Sequence, residues 1–332
     1  MVNAMEIVFP SKLKKGDTIA VIAPSRSMKI ISEETRRIAN ERFDELGLKL
    51  ILGKHVEERD EFHSTSVEAR VDDLHWAFSD PDIQGIITVI GGFNSNQLLK
   101  HIDWEIIKNN PKVFCGFSDI TTLNNAIYAK TGLVNYSGPH YSTFGQKSEF
   151  DYTLDYFLKC LMNDQPFEIE PSKQWTDDEW YRNQENRNPI ENEGYLVINE
   201  GEASGTLVGG NIRLFTLLKG TQYFPSIEGS ILFLEDDKKT VLHHFDMELQ
   251  ALMHTDEFRG VKGLVIGRFQ KESNAKNELV LKMIQRKEEL KNIPVIANAD
   301  FGHTEPKFTF PVGGEIEITA EESKVKLKIL EH

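Results

Sequence analysis

The chain has 332 residues, 39% of them hydrophobic, which is more than one ordinary domain requires and enough to bury two cores. Its net charge of −14 repels polyphosphate and anionic membrane surfaces at long range, so neither nucleic acid nor a membrane is an expected partner. The N-terminus carries no signal-peptide pattern, apolar runs such as Gly85–Ile90 are far too short to span a bilayer, and Cys115 and Cys160 lack C-x-x-C spacing; these features predict a cytoplasmic protein with no disulfide framework and no structural zinc.

From Asp17 to about Met162, strand-like and helical runs alternate. Thr18–Ala23 reads as a strand, Ser32–Leu46 as a helix, Lys49–Leu52 as a strand, Val67–Phe78 as a helix, and Gly85–Ile90 and Val113–Cys115 as strands. That rhythm specifies a parallel sheet covered by helices. From Asn163 to about Glu202 the chain is polar, carries Pro166, Pro171 and Pro189, and keeps no sustained period, as lids, binding loops and linkers do. A second series starts at Ala203 and runs through strand Ile231–Leu234, helix Leu242–Met253, strand Leu264–Ile266, helix Asn277–Leu290 and strand Val295–Ala297. The expected fold is α/β: an N-terminal parallel-sheet domain with flanking helices over 1–165, a linking segment over 166–200 and a smaller C-terminal α/β domain over 201–332. No internal repeat or low-complexity tract interrupts this plan.

Parallel sheets of this kind hold ligands at the carboxyl ends of their strands, so residues just past the apolar runs are the candidates for chemistry. Ser118 stands at such an end, between Val113-Phe114-Cys115-Gly116-Phe117 and a helical stretch from Ile120 to Lys130. A strand-to-helix elbow would push its hydroxyl out of the sheet, beside helix-opening N–H groups that favour negative charge. Taken alone, Ser118 also reads as an N-cap, and Ile120 occupies the place of the second glycine in G-x-S-x-G. Cys115 is a rival nucleophile, but its place inside the apolar run rather than at the elbow reads as a buried, unreactive thiol. Gly91-Gly92 follow another run, where Gly92 offers an unhindered N–H or simply makes a tight turn. Ile231–Leu234 delivers Glu235, Asp236 and Asp237, which suit orienting a histidine, binding a cation or capping a helix. Val295–Ala297 leads to Gly302-His303, the best general base among ten histidines. His243, His244 and His254 with Glu248 match no common zinc spacing. Ser118, Glu235 and His303 thus supply a nucleophile, an orienting carboxylate and a base.

These motifs, in this order, together with Pro10-Ser11-Lys12-Leu13-Lys14-Lys15-Gly16-Asp17 and Pro311-Val312-Gly313-Gly314, resemble the LD-carboxypeptidases and their relatives, the microcin C self-immunity peptidases. The resemblance implies a Ser118-Glu235-His303 triad, an oxyanion hole made by the N–H groups of Gly92 and Asp119, no metal or cofactor, and a homodimer. LD-carboxypeptidases commonly place an arginine before the paired glycines, where Ile90 stands here. The segment Trp175–Tyr181, followed by Asn183–Asn186, resembles the loop with which immunity peptidases stack a nucleobase, so 166–200 becomes a substrate-binding loop as well as a linker. Trp175 and Trp180 either offer such a stacking face or pin the loop to the body of the protein. Asn211 and Lys239 match positions that contact the nucleotide end. The implied activity is hydrolysis of the carboxamide between an aminoacyl or peptidyl group and a modified nucleotide. The alternatives are L,D-carboxypeptidase action on muropeptides and non-catalytic sensing of a nucleotide or peptide.

Overall fold

The computed structural model describes residues 6–238 and 241–332. In the first half, β1 (Thr18–Ile22), α1 (Glu33–Leu46), β2 (Lys49–Leu52), α2 (Val67–Ser79), β3 (Gly85–Thr88), α3 (Trp104–Asn109), β4 (Val113–Cys115), α4 (Thr121–Thr131), β5 (Asn135–Ser137) and α5 (Asp151–Leu161) follow one another; the alternation is the predicted one, and α3, β5 and α5 are elements the sequence reading did not single out. The caps explain why α1 and α2 begin where they do: Ser32 accepts the Thr35 N–H and Ser66 the Ala69 N–H. Gly47, left-handed at φ 73°, ends α1.

The connecting segment supplies β6 (Phe167–Glu168), β7 (Gln174–Trp175), β8 (Ile190–Glu191) and β9 (Leu196–Asn199). The second half adds β10 (Gly201–Asn211), α6 (Ile212–Thr216), β11 (Ser230–Glu235), α7 (Leu242–Met253), β12 (Gly263–Gly267), α8 (Asn277–Gln285), β13 (Val295–Ala299), β14 (Phe310–Val312), β15 (Glu315–Glu321) and β16 (Lys324–Glu331).

One sheet has the order β14-β5-β4-β3-β1-β2, parallel from β2 through β5; the other has the order β6-β16-β15-β10-β11-β12-β13-β9, parallel from β10 through β13. The fold is therefore mixed α/β, with a parallel-sheet N-terminal domain and a separate C-terminal domain. With eight strands against six, the C-terminal sheet is the wider, because β6 and β9 from the connecting segment cover both of its edges. In the opposite sense, β14 leaves the C-terminal half and pairs antiparallel with β5, Phe310 against Ser137. Pro311 is tolerated there because β14 is an edge strand.

The apolar packing follows the pleat rather than the domain division. Ala20, Ile22, Ile86 and Phe114 face α2 and α4 in a smaller cluster. Val21, Ile87 and Cys115, on the opposite face, join Phe233, Val265 and Phe310 of the second half in one continuous core. Each such aliphatic or aromatic side chain contributes about 1.5–3 kcal/mol by burial, so the two halves are held together by the same term that folds each of them. Among the described residues, no helix is long and apolar enough to cross a membrane.

Candidate active site

The polypeptide leaves β4 at Cys115, and Gly116 and Phe117 carry it to Ser118, which opens a short 3₁₀ turn over Ser118–Ile120 ahead of α4. Ser118 has φ 58°, a left-handed conformation that costs a non-glycine residue about 1–3 kcal/mol. The side chain does not serve as an N-cap; its Oγ lies 3.0 Å from His303 Nε2. The glycine absent at position 120 is replaced across space. Ile120 is fully buried, and room at the elbow comes from Gly91 on the neighbouring loop, where a Cβ would stand 3.0 Å from Ser118 Oγ.

His303 Nδ1 lies 2.7 Å from Oε2 of Glu235, whose side chain is 3% exposed at the end of β11. An Nδ1–H donating to the carboxylate leaves Nε2 as the acceptor for the serine O–H, a tautomer assigned from the hydrogen-bond network. Glycines make space for the carboxylate. At Gly302, φ 96°, a Cβ would meet Glu235 Oε2 at 2.4 Å, and at Gly267 one would stand 2.6 Å from the Glu235 Cβ. Burial, the largest single influence, pushes the His303 imidazole down; the Glu235 charge, its hydrogen bond and Asp237 together outweigh it, so the net shift is upward from the ordinary 6.5.

Asp119, which follows the serine, is completely buried. Its Oδ2 accepts from Ser25 Oγ at 2.6 Å and from the N–H groups of Asn94 and Ser95, each at 3.0 Å. The carboxylate thus clamps the glycine loop after β3 against the elbow. Its backbone N–H opens the 3₁₀ turn, where N–H groups lack intrahelical partners. Among the described residues, the Gly92 N–H has no hydrogen-bond partner either. An Asp119→Ala substitution strands three buried donors and is expected to cost about 3 kcal/mol of unfolding free energy, read from the urea midpoint at unchanged m-value.

A cavity of about 640 Å³ opens from Ser118 and His303 and is lined by Asn211, Trp180 and Tyr181 among others. The connecting loop that bears Trp180 is anchored at several points. Thr176 and Glu305 exchange backbone hydrogen bonds of 2.7 and 2.8 Å, Glu179 pairs with Lys238 at 2.9 Å, and the Lys271 N–H donates to Asp177 Oδ2 at 2.6 Å. Trp175 lies outside the cavity wall, with Arg268 5.0 Å and Lys271 5.5 Å from its ring centre. The structure therefore separates the two indoles: Trp180 lines the cavity, and Trp175 lies outside it in cation–π contact with Arg268 and Lys271, which favours the loop-pinning alternative for that residue. Asn211 is 3% exposed, with Oδ1 accepting the Leu214 N–H at 3.3 Å and Nδ2 donating to Asp236 at 3.4 Å. Lys239 lies outside the described residues.

Cys115 is buried, donates weakly to the Pro139 carbonyl, and is pushed well above the ordinary thiol range by burial, so it is not a competing nucleophile. No group of His, Cys, Asp or Glu among the described residues is arranged to hold a metal.

Sequence reasoning missed several residues of the wall. Glu305 and Lys307 form a buried pair at 2.5 Å, and Lys307 Nζ stands 5.0 Å over the Phe117 ring. His140 stacks on Phe117 at 4.4 Å and is pulled well below the ordinary histidine value, first by burial and then by Lys307. Arg26 reaches the wall from the loop after β1. The strand-end rule that found Ser118 applies equally to Arg26; Glu305 and Lys307 carry no local signal beyond their nearness to His303.

A serine hydroxyl, an imidazole and a carboxylate in this order of contact form the arrangement with which serine hydrolases carry out acyl transfer. The chain belongs to the LD-carboxypeptidase family, and so to the serine peptidases: residues 19–138 match the family's N-terminal domain and residues 204–318 its C-terminal domain. YocD of Bacillus subtilis (strain 168) is 51% identical over 325 residues, covering 98% of this chain and 100% of YocD. The crystal structure of an MccF-like protein from Bacillus anthracis str. Ames superposes with a TM-score of 0.97 at 52% identity, covering 98% of this chain and 100% of that one. The structure of MccF in complex with glutamyl sulfamoyl guanosine gives a TM-score of 0.88 at 28% identity, over 97% of this chain and 98% of that one.

Proposed function

We propose that the chain hydrolyses the carboxamide joining an aminoacyl or short peptidyl group to a modified nucleotide, an activity that would inactivate microcin C-like compounds. His303 takes the proton from Ser118 Oγ as the oxygen attacks the carbonyl carbon. Glu235 holds the ring in the productive tautomer and stabilises the imidazolium. The oxyanion is received by the N–H groups of Gly92 and Asp119, a contribution of roughly 3 kcal/mol per donor in comparable enzymes. The imidazolium returns its proton to the departing nitrogen, and water, activated by the same base, releases the acyl group from Ser118.

The observation that carries the nucleotide reading is Trp180. It lies on the wall of the cavity that opens from Ser118, on a loop anchored to residues just past His303 and just past Glu235. An indole held there offers a flat apolar face to any base, worth about 1–3 kcal/mol of stacking. That MccF has been seen with glutamyl sulfamoyl guanosine supports the same substrate class.

The deciding experiment follows, by mass spectrometry, hydrolysis of aspartyl sulfamoyl adenosine and of an L,D-linked tetrapeptide by wild type and Ser118→Ala. Cleavage of the adenosine conjugate, lost in Ser118→Ala, is the expected result; cleavage of the tetrapeptide alone assigns the protein to muropeptide turnover. Trp180→Ala is expected to raise KM for the conjugate about 10- to 100-fold while tetrapeptide turnover changes less. Trp175→Ala, by contrast, acts through loop stability and lowers both activities in parallel, a comparison that steady-state kinetics on the two substrates makes directly.

A further inference from the structure

Arg26 stands beside the glycine pair that frames Ser118. Its Nε donates to the Gly91 carbonyl at 2.9 Å, and it packs so closely on the next residue that a Cβ at Gly92 would lie 3.0 Å from its Cγ and 3.3 Å from its Nε. With Nε engaged, the two terminal nitrogens of the guanidinium remain for the cavity, whose wall Arg26 shares with Ser118, Trp180 and Tyr181. Two other cations of that wall hold carboxylates, Lys238 with Glu179 at 2.9 Å and Lys307 with Glu305 at 2.5 Å. Among the described residues, no carboxylate forms an ion pair with Arg26. Burial works against its charge, with Asp119 and Tyr181 only partly offsetting it. The Oδ2 of that Asp119 is itself committed to Ser25, Asn94 and Ser95. A half-buried arginine with a planar fork open to a cavity is built for an oxyanion.

Its position tells which end of the substrate carries that anion. Tyr181, on the loop that presents Trp180, shares the cavity wall with Arg26 and Ser118. With the base on Trp180, as proposed above, an arginine between the serine and that loop falls on the leaving-group side. Ile90, the residue ahead of the glycine pair, lines the same cavity and brings no charge.

We infer that Arg26 is a specificity-determining residue that binds an oxyanionic group on the leaving group, within two bonds of the scissile nitrogen. This deepens the reading of Ser118 as the nucleophile and rests on it. The shared chemistry has two sources: a sulfamoyl or phosphoryl group bonded to that nitrogen, or the carboxylate of a terminal amino acid one carbon away. Arg26 makes the enzyme select for either over a neutral leaving group, because an uncharged amide leaves the fork desolvated and unpaired.

The test compares kcat/KM for matched pairs: aspartyl sulfamoyl adenosine against the neutral aspartyl amide of 5′-amino-5′-deoxyadenosine, and an L,D-tetrapeptide against its C-terminal amide. Wild type is expected to favour the anionic member. Arg26→Met should collapse that preference by about 10- to 100-fold, with Arg26→Lys intermediate because an ammonium keeps charge and loses the fork. The pair in which the preference collapses identifies the source of the anion. Equal losses on both members of each pair, with the preference intact, would overturn the proposal and make Arg26 a prop for the glycine loop. A second arm measures affinity for the same four compounds by calorimetry, in Ser118→Ala and in Ser118→Ala/Arg26→Met. Should wild type hydrolyse none of the four, the hydrolytic reading fails by itself and the binding arm still decides Arg26. An anionic preference lost with Arg26→Met upholds its role; equal affinities in the two proteins, or no binding at all, refutes it.

Discussion

Replacing Ser118 by alanine is expected to lower kcat by roughly 10⁴- to 10⁶-fold, and His303→Ala by a similar amount, with the double variant little worse than either single one. The reason is geometric. In the proposed mechanism the hydroxyl at 3.0 Å from Nε2 and the carboxylate at 2.7 Å from Nδ1 act as one relay, so removing the nucleophile makes the base redundant, and the reverse. Residual turnover above the water rate would then measure what the proposed oxyanion donors, the Gly92 and Asp119 N–H groups, contribute together with substrate binding. Because Ser118 is held at φ 58°, alanine there keeps the backbone strain while losing the hydroxyl, and unfolding free energy should change little. Additive losses in the double variant, or full activity in a folded Ser118→Ala protein, would remove the relay from the mechanism.

The second large effect is expected from Glu235→Gln, which leaves the shape of the side chain nearly unaltered. Its amide can present an N–H to Nδ1 and so favour the wrong tautomer; a loss of about 10⁴-fold in kcat is expected by analogy with the corresponding change in other triads. The pH profile separates this from a packing defect. His303 works as a base only when neutral, and its pKa is raised in the folded protein, so kcat/KM of wild type should climb with pH along an acid limb centred above the ordinary 6.5. Glu235→Gln removes the charge that raises it and leaves burial, which lowers it; the limb should therefore move to lower pH. The same shift has a consequence for stability. A histidine whose folded pKa is raised stabilises the fold below its unfolded value, and that contribution is lost as pH rises through the folded value. Chemical denaturation across this range should show it in wild type and not in Glu235→Gln. An unshifted acid limb in the variant would mean that Glu235 does not govern His303.

Much of this molecule follows from residues adjacent in the chain. The alternation of short apolar runs with helical stretches, the caps at Ser32 and Ser66 and the glycine after α1 act within a turn or two, so they determined the βα order of both halves. The strand-end rule singled out Ser118, Glu235 and His303 because each follows an apolar run, and in this architecture the ends of such runs meet at one crevice. Tertiary structure decided the rest, for reasons that local periodicity cannot carry. β14 is three residues long, too short for any period, and exists only because β5 presents an unpaired edge to it. Trp175 and Trp180 stand five residues apart on one polar loop; Arg268, Lys271 and the backbone bridge from Thr176 to Glu305, all distant in sequence, turn one indole into a staple and the other into a cavity wall. Gly91 supplies the room that the elbow lacks at Ile120, and Arg26 supplies a cation that Ile90 does not, each from a different loop. Residue types and their spacing along a strand or helix are set by the chain itself, whereas distances between side chains 68 and 185 positions apart are set by which strands pair and which cores they share.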